Sequence, residues 1–249
     1  TPKHFVANIG DGGRDSYPVH FSERLLKEIY FPAFEACIQK AGATSVMSAY
    51  NSYDGTPCSS NKWLLTDILR NEWGFKGFVV SDADAIPWIF SRFHTAATRK
   101  EVAKQAIEAG LDVESPRNSI YGEPLLQAVK EGLVSEESIN QSVRRVLEAK
   151  FRVGLFEDPY VDPEYAARVN DCQEHRQLAL QAAREAIVLL KNENGVLPLK
   201  KDLKSIAVIG SLADKVKLGG YSGHGMKTVS ILEGIKNECS QKTKVYFKM

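Results

Sequence analysis

At 249 residues, 43% of them hydrophobic and 25% charged, the chain is long enough for one large domain or two smaller ones of ordinary globular composition. Lys and Arg number 32 against 31 Asp and Glu, a formal net charge of +1, so no basic excess points to nucleic acid and no block of like charge forms a tail. A neutral or mildly polar substrate fits this balance better than a polyanion does.

Short β-rich runs alternate with helical patterns through the first two-thirds. Ser45-Val46-Met47-Ser48-Ala49-Tyr50 predicts a strand, followed by a polar loop from Asn51 to Ser60 that contains Gly55 and Pro57. Asn61 fits a helix N-cap, with Trp63, Leu64, Leu65, Ile68 and Leu69 at helical spacing behind it. Gly74 and Gly77 bracket the exit, and Phe78-Val79-Val80-Ser81-Asp82 is an apolar run of the kind buried on both faces. A helix from Glu101 to Ala109 is stopped by Gly110, and Leu111-Asp112-Val113 predicts a short strand. Pro124 to Gly132 predicts another helix. Ser135 caps one running to about Phe151, with Ile139, Val143, Val146 and Leu147 on one face. Cys37 falls in an apolar helical pattern and is expected in the core.

Strand and helix in alternation imply a parallel sheet, an α/β fold. Strands that end in polar residues before long loops suggest a (β/α) barrel, whose chemistry sits at the strand C-terminal ends. Residues 1–155 are read as part of such a barrel. The two prolines of Phe156-Glu157-Asp158-Pro159-Tyr160-Val161-Asp162-Pro163 mark a linker. A connecting helix is expected from Cys172 to Asn192, carrying Leu178, Ala182, Ile187 and Leu190, so that 156–184 joins the barrel to a second α/β domain over 185–249. That domain holds a clear strand, Ser205 to Gly210, a helix from Thr228 to Glu238, and a strand-like run from Lys244 to Phe247. The four cysteines, Cys37, Cys58, Cys172 and Cys239, include no CxxC pair to suggest zinc. No apolar run reaches the roughly 18 residues that a membrane crossing needs. The chain begins Thr1-Pro2-Lys3-His4-Phe5 without an initiator Met, and the expectation is that both ends are cut.

Asp82 carries the clearest chemistry. It sits where a buried parallel strand meets its loop, held rigidly behind Val79 and Val80. Glycosidases need such a carboxylate to attack the anomeric carbon while a second acid protonates the leaving oxygen. Position alone leaves an equal alternative, that Asp82 caps the next helix or binds a backbone loop.

Four blocks in order remove that ambiguity. Pro2-Lys3-His4-Phe5, Met47-Ser48-Ala49-Tyr50-Asn51, the run from Asp67 through Trp73-Gly74-Phe75-Lys76-Gly77-Phe78-Val79-Val80-Ser81-Asp82, and Ala186-Ile187-Val188-Leu189-Leu190-Lys191-Asn192 with Leu197-Pro198-Leu199 together resemble glycoside hydrolase family 3, in its β-glucosidase and β-xylosidase branch. The resemblance implies a (β/α) barrel followed by an α/β sandwich with the active site between them, no metal and no organic cofactor. It implies that Asp82 forms a covalent glycosyl-enzyme with a β-linked oligosaccharide. It also implies that Lys3 and His4 grip sugar hydroxyls at the non-reducing end, and it favours a periplasmic or secreted location. Tyr50 is a plausible neighbour of the nucleophile, with a plain strand aromatic as the alternative. Arg14, in the Asp11-Gly12-Gly13-Arg14-Asp15 loop, is read either as a substrate contact or as a solvated arginine.

The departures are specific. Many glucosidases of the family carry an aromatic directly after the nucleophile; here Ala83 follows, then Asp84, a pattern that also resembles the β-xylosidase branch. This leaves glucose against xylose open, and Asp84 is a rival nucleophile. The N-acetylglucosaminidase branch is disfavoured because Asp15-Ser16-Tyr17 has a phenol where that branch has its acid/base histidine, and His20 is out of register. In the other branches the acid/base is a Glu well into the sandwich domain. No block here matches it, and Glu233 and Glu238 read as surface positions, so the acid/base is expected to lie outside this chain. Without it, turnover by these residues alone is expected to be poor, since a positioned acid or base supplies roughly 10²–10⁴ in rate. Tyr221 in Gly219-Gly220-Tyr221-Ser222-Gly223 either lines the aglycone side or belongs to a plain turn. A non-catalytic carbohydrate-binding homologue and a periplasmic-type sugar sensor are the rivals from other classes; the intact Asp82 argues against the first.

Overall fold

The computed structural model describes residues 1–9, 15, 17–117, 119–223 and 225–249. They form two compact units, Thr1–Pro159 and Tyr160–Met249. The first contains α1 (Glu23–Leu25), a π-helical turn (Leu26–Tyr30), α2 (Phe31–Gln39) and β1 (Ser45–Ser48). A small antiparallel pair follows, β2 (Ser52–Tyr53) with β3 (Thr56–Pro57), then a second π-helical stretch (Trp63–Glu72) and β4 (Phe78–Ser81). Helices α3 (Ala85–Ser91), α4 (Arg99–Ala109), α5 (Glu123–Lys130) and α6 (Glu136–Arg152) complete it.

The parallel arrangement has a simple register. Ser45 to Ser48 of β1 pair with Phe78 to Ser81 of β4. Single parallel bridges, Phe5 to Ser48 and Val80 to Val113, add a segment on either side. Four chain segments therefore lie side by side in sequence order, with helices between them. This is a mixed α/β fold whose hydrogen-bonded sheets are small, two strands each. The expected strand at Leu111-Asp112-Val113 is reduced to the bridge at Val113, and β1 stops at Ser48 rather than Tyr50.

Local chemistry explains the helix ends. The Asn61 side chain accepts from the Leu64 N–H at 3.1 Å, and Ser135 caps α6 by accepting from the Ser138 N–H. Thr98 does the same for α4, accepting from Glu101 N–H, and Gly110 ends that helix at φ 100, a left-handed conformation that costs glycine nothing. The segment after Asn61 buries Leu64, Leu65, Ile68 and Leu69. It is wound more loosely than an α-helix: the Trp73 N–H reaches the Ile68 carbonyl, five residues back. Gly77 is required for another reason: a Cβ there would stand 2.0 Å from the Thr44 carbonyl oxygen, where the chain enters β4.

Two features hold the first unit together. Phe5, Phe31, Phe34 and Trp73 form an aromatic cluster with centroids 5.1–6.0 Å apart, several of them edge to face. Burying Phe5 contributes about 1.5–3 kcal/mol and pins the segment that carries Lys3 and His4. The second is an ion network. Asp112, whose side chain is fully buried, accepts from Arg70 Nη2 at 2.6 Å, Arg145 Nη1 at 2.8 Å and the Val79 N–H at 2.8 Å. Burial pushes the Arg70 guanidinium below its ordinary range, and Asp112 pulls it back. Cys37 is only half-buried; Cys58 is the core cysteine. On α6, Val143 and Leu147 remain exposed.

The second unit contains α7 (Pro163–Val169), α8 (Gln173–Ala186), β5 (Ser205–Ile209), α9 (Ile231–Glu238) and β6 (Lys244–Lys248). Strands β5 and β6 are parallel, with Ser205 opposite Lys244, and α9 lies between them in sequence. Leu232 of α9 packs with Val208 and Ala213. The expected helix from Cys172 to Asn192 ends at Ala186. Ile187 turns extended (φ −78, ψ 118), in keeping with the β-branched Ile187-Val188 pair, and residues 187–190 are exposed rather than part of a helical face. The last helix starts at Ile231, not Thr228, because Ser230 supplies its N-cap.

Candidate active site

The register of β1 and β4 decides what meets at their C-terminal ends. Ser48 and Ser81 are paired, so Tyr50 and Asp82 emerge from neighbouring strands at the same end. The Phe5 segment lies on the other side of β1: the Phe5 N–H donates to the Met47 carbonyl at 2.8 Å, and the Ala49 N–H to the Phe5 carbonyl at 2.7 Å. His4 thereby comes within reach of Asp82, 78 residues away in sequence.

His4 Nε2 lies 2.9 Å from Asp82 Oδ2, with the two side chains 21% and 13% exposed. The distance is that of an ion pair, yet hydrogen-bond geometry is not met, and Oδ2 has no hydrogen-bond partner among the described residues. The other oxygen, Oδ1, accepts from the Ala83 N–H at 2.7 Å. One oxygen of Asp82 is anchored, and the other is buried with no hydrogen bond from the described residues. Of the two alternatives, the helix cap does not hold, since the residue at the N-cap of α3 is Asp84 and no side chain caps that helix, whereas binding to loop backbone does, through the Ala83 N–H. Asp84 sits in the left-handed region at φ 58, its N–H donating to the Ser115 carbonyl at 3.0 Å.

Tyr50 packs against Trp88 of α3, ring centroids 4.6 Å apart, and the Arg92 guanidinium covers Trp88 at 4.8 Å. Lys3 is exposed beside His4. Arg14 lies outside the described residues. His20 pairs with Asp54 at 3.1 Å on the surface. In the second unit Tyr221 is exposed, Glu233 is a surface residue of α9, and Glu238 is bound to Lys201 at 2.6 Å. A cavity of about 630 Å³ lined by Thr66, Gln105, Glu108 and Arg145 includes none of the strand-end residues. Among the described residues, no group of three or more His, Cys, Asp or Glu is arranged to hold a metal ion.

Residues 1–149 match the glycosyl hydrolase family 3 N terminal domain, and residues 187–246 match the family's C-terminal domain.

The chain belongs to glycosyl hydrolase family 3.

Among family 3 relatives, it is 45% identical over 241 residues to a beta-glucosidase of Rhizobium radiobacter, covering 95% of this chain and 27% of that protein. It is 36% identical over 270 residues to a beta-xylosidase of Formosa agariphila, covering 99% of this chain and 36% of the relative. A solved β-glucosidase from Erythrobacter marinus superposes with a TM-score of 0.93 at 38% identity, covering 99% of this chain and 33% of that one. The chain thus spans about a third of the length of the family 3 proteins it matches.

Two residues near the strand ends escaped the reading of the sequence. Glu114 follows the bridge at Val113 as Asp82 follows β4, and the same rule, a carboxylate directly after a parallel strand, singles it out. Trp88 lies on α3, six residues after Asp82, and only its packing on Tyr50 brings it to the site.

Proposed function

We propose that this chain carries the nucleophile side of a retaining, exo-acting β-glycosidase that removes β-D-glucosyl residues from the non-reducing ends of oligosaccharides. Its first unit is read as part of a (β/α) barrel and its second as the start of an α/β sandwich domain. Four parallel segments in sequence order with helices between them support that reading. The observation that carries the functional reading is Asp82: a carboxylate at the end of β4, one oxygen anchored by a backbone N–H, the other buried beside an imidazole with no hydrogen bond from the described residues. Such an oxygen gives up little solvation when it attacks.

In the proposed reaction Asp82 Oδ2 forms a bond to the anomeric carbon as the glycosidic C–O bond breaks. An acid from outside these residues protonates the leaving oxygen. Water, giving its proton back to that same outside group, then attacks the same carbon, breaks its bond to Asp82, and leaves the configuration retained. Lys3 and His4 would hold vicinal hydroxyls, Tyr50 the ring, and Arg14 the substrate or the nucleophile.

A glycosyl fluoride tests this, because fluoride departs without a general acid. Incubation with 2-deoxy-2-fluoro-β-glucosyl fluoride is expected to add the mass of one fluorosugar, mapping to Asp82 and absent in Asp82→Asn. The exposed, small Ala83 and the β-xylosidase relative favour xylose as the second reading; labelling by the xylosyl reagent alone would establish it. A folded chain that binds glucosides and is labelled by neither reagent is a non-catalytic carbohydrate-binding homologue.

A further inference from the structure

Glu114 is buried, 7% exposed, one residue beyond the bridge that joins Val113 to β4. Its carboxylate is ringed by donors. Oε1 accepts from Ser119 Oγ at 2.8 Å and the Ile120 N–H at 3.2 Å; Oε2 accepts from the Ile120 N–H at 2.9 Å and the Tyr121 N–H at 2.7 Å. The Tyr121 hydroxyl in turn donates to the Leu111 carbonyl at 2.7 Å. Residues 119–121 are folded back onto the end of the strand segment that Glu114 terminates. With these bonds made, the carboxylate has little capacity left for a sugar or a leaving group.

The next residue, Ser115, touches the chain on both sides of Asp82. Its N–H donates to Ser81 Oγ at 3.0 Å, and its carbonyl accepts the Asp84 N–H at 3.0 Å. Ser81 is itself fully buried, its own N–H donating to the Val113 carbonyl at 2.9 Å. The contact with Asp84 secures a residue in the left-handed region, a conformation that non-glycine residues adopt sparingly. Asp82 thus lies within a four-residue segment, 81–84, held at each end by one residue, Ser115, through its N–H on one side and its carbonyl on the other, and Ser115 directly follows the anchored Glu114.

Resting on the family 3 mechanism proposed above, we propose that Glu114 is a positioning residue for the Asp82 nucleophile, acting through the Ser115 clamp on Ser81 and Asp84. The substitution that tests it is Glu114→Gln, which turns one acceptor oxygen into an NH2 group, facing either Ser119 Oγ and the Ile120 N–H or the Ile120 and Tyr121 N–H groups. Ser81→Ala removes the acceptor of the Ser115 N–H and leaves all of Glu114's bonds intact.

Two readouts separate positioning from simple support of the fold. The first is the rate constant for Asp82 labelling at saturating 2-deoxy-2-fluoro-β-glucosyl fluoride. It is expected to fall about 10²-fold in Glu114→Gln, the size of effect that misplacing a reacting group by an ångström produces, while the half-saturating reagent concentration is unchanged. Ser81→Ala is expected to lower the same constant, and the double variant to do no worse than the more damaging single one. The second readout is hydrogen exchange. The Ser115 and Asp84 amides are expected to lose protection in Glu114→Gln while Val79, held by Asp112, keeps it. Unchanged labelling in a folded Glu114→Gln chain, or unchanged protection at Asp84, overturns the inference. If Glu114→Gln does not fold, Ser81→Ala tests the clamp through which Glu114 would act, and unchanged labelling in that variant overturns the inference. If the unaltered chain takes up neither the glucosyl nor the xylosyl reagent, the glycosidase reading falls, while the exchange data still decide whether the clamp exists.

Discussion

Replacing Asp112 by alanine removes one carboxylate and leaves three donors without it. The Val79 N–H, on a fully buried residue, loses its 2.8 Å bond and has no water to turn to; an orphaned buried donor costs about 1–3 kcal/mol. Arg70, whose side chain is 9% exposed, keeps its bonds to the Gly77 and Gly110 carbonyls but loses its counter-charge, and Arg145 loses the same partner. Breaking a buried ion pair from one side costs about 3–5 kcal/mol. The two costs overlap, so about 4 kcal/mol is expected, a large share of the roughly 5–15 kcal/mol by which domains are stable. Trp63, Trp73 and Trp88 are the chain's three tryptophans and all lie in the first unit. Their fluorescence during urea unfolding therefore reports on that unit by itself. At a slope of roughly 2 kcal/mol per molar urea, the midpoint is expected to fall by about 2 M with the slope unchanged. A shift worth less than about 1 kcal/mol, the range of an exposed pair, would refute the view that this network ties the Arg70 helix, β4 and α6 together.

Gly77→Ala is expected to cost at least the roughly 1–3 kcal/mol of ordinary overpacking, because the Thr44 carbonyl that the new methyl meets also accepts the Phe78 N–H at 3.2 Å; an unchanged urea midpoint would show that the strand entry yields freely. Stability should also fall in alkali. Burial pushes the Cys58 thiol from its ordinary 9.0 to about 12, so between those values the folded chain holds a proton that the unfolded chain has lost. The stabilisation is fully present below pH 9.0 and drains away as pH rises toward about 12, at up to about 1.4 kcal/mol per pH unit. The Tyr121 phenol, raised chiefly by burial and further by Asp112 and Glu114, acts in the same direction above its ordinary 10.0. Thermal midpoints measured from pH 8 to 11 should decline more gently in Cys58→Ala than in the unaltered chain; identical slopes would rule out the thiol as a cause.

Much of the fold was legible because its signals are short-range. Asn61 and Ser135 accept from N–H groups three residues on, and Gly110 ends α4 through its own backbone. The alternation of apolar strands and amphipathic helices announced the α/β class. Where the reading ran past Ala186 into Ile187, it followed apolar spacing that does not separate a helix from an extended run, and the β-branched pair took the extended form.

The candidate site divides the same way. That an aspartate stands at the end of an apolar strand is written in Val79-Val80-Ser81-Asp82, and the blocks around it bring the family into view. That His4 stands 2.9 Å from that aspartate, that Asp112 joins Arg70 and Arg145, and that Ser115 clasps the residues on either side of Asp82 depend on strand register. These partners lie 31 to 78 residues apart along the chain, and a single sequence carries no signal for a pairing at that range. Local hydrogen bonds and side-chain periodicity determined the elements and the position of Asp82 by themselves. Only the packing of parallel segments side by side, driven by burial of Phe5, Val46, Val79 and their neighbours, decided which polar groups meet at the strand ends.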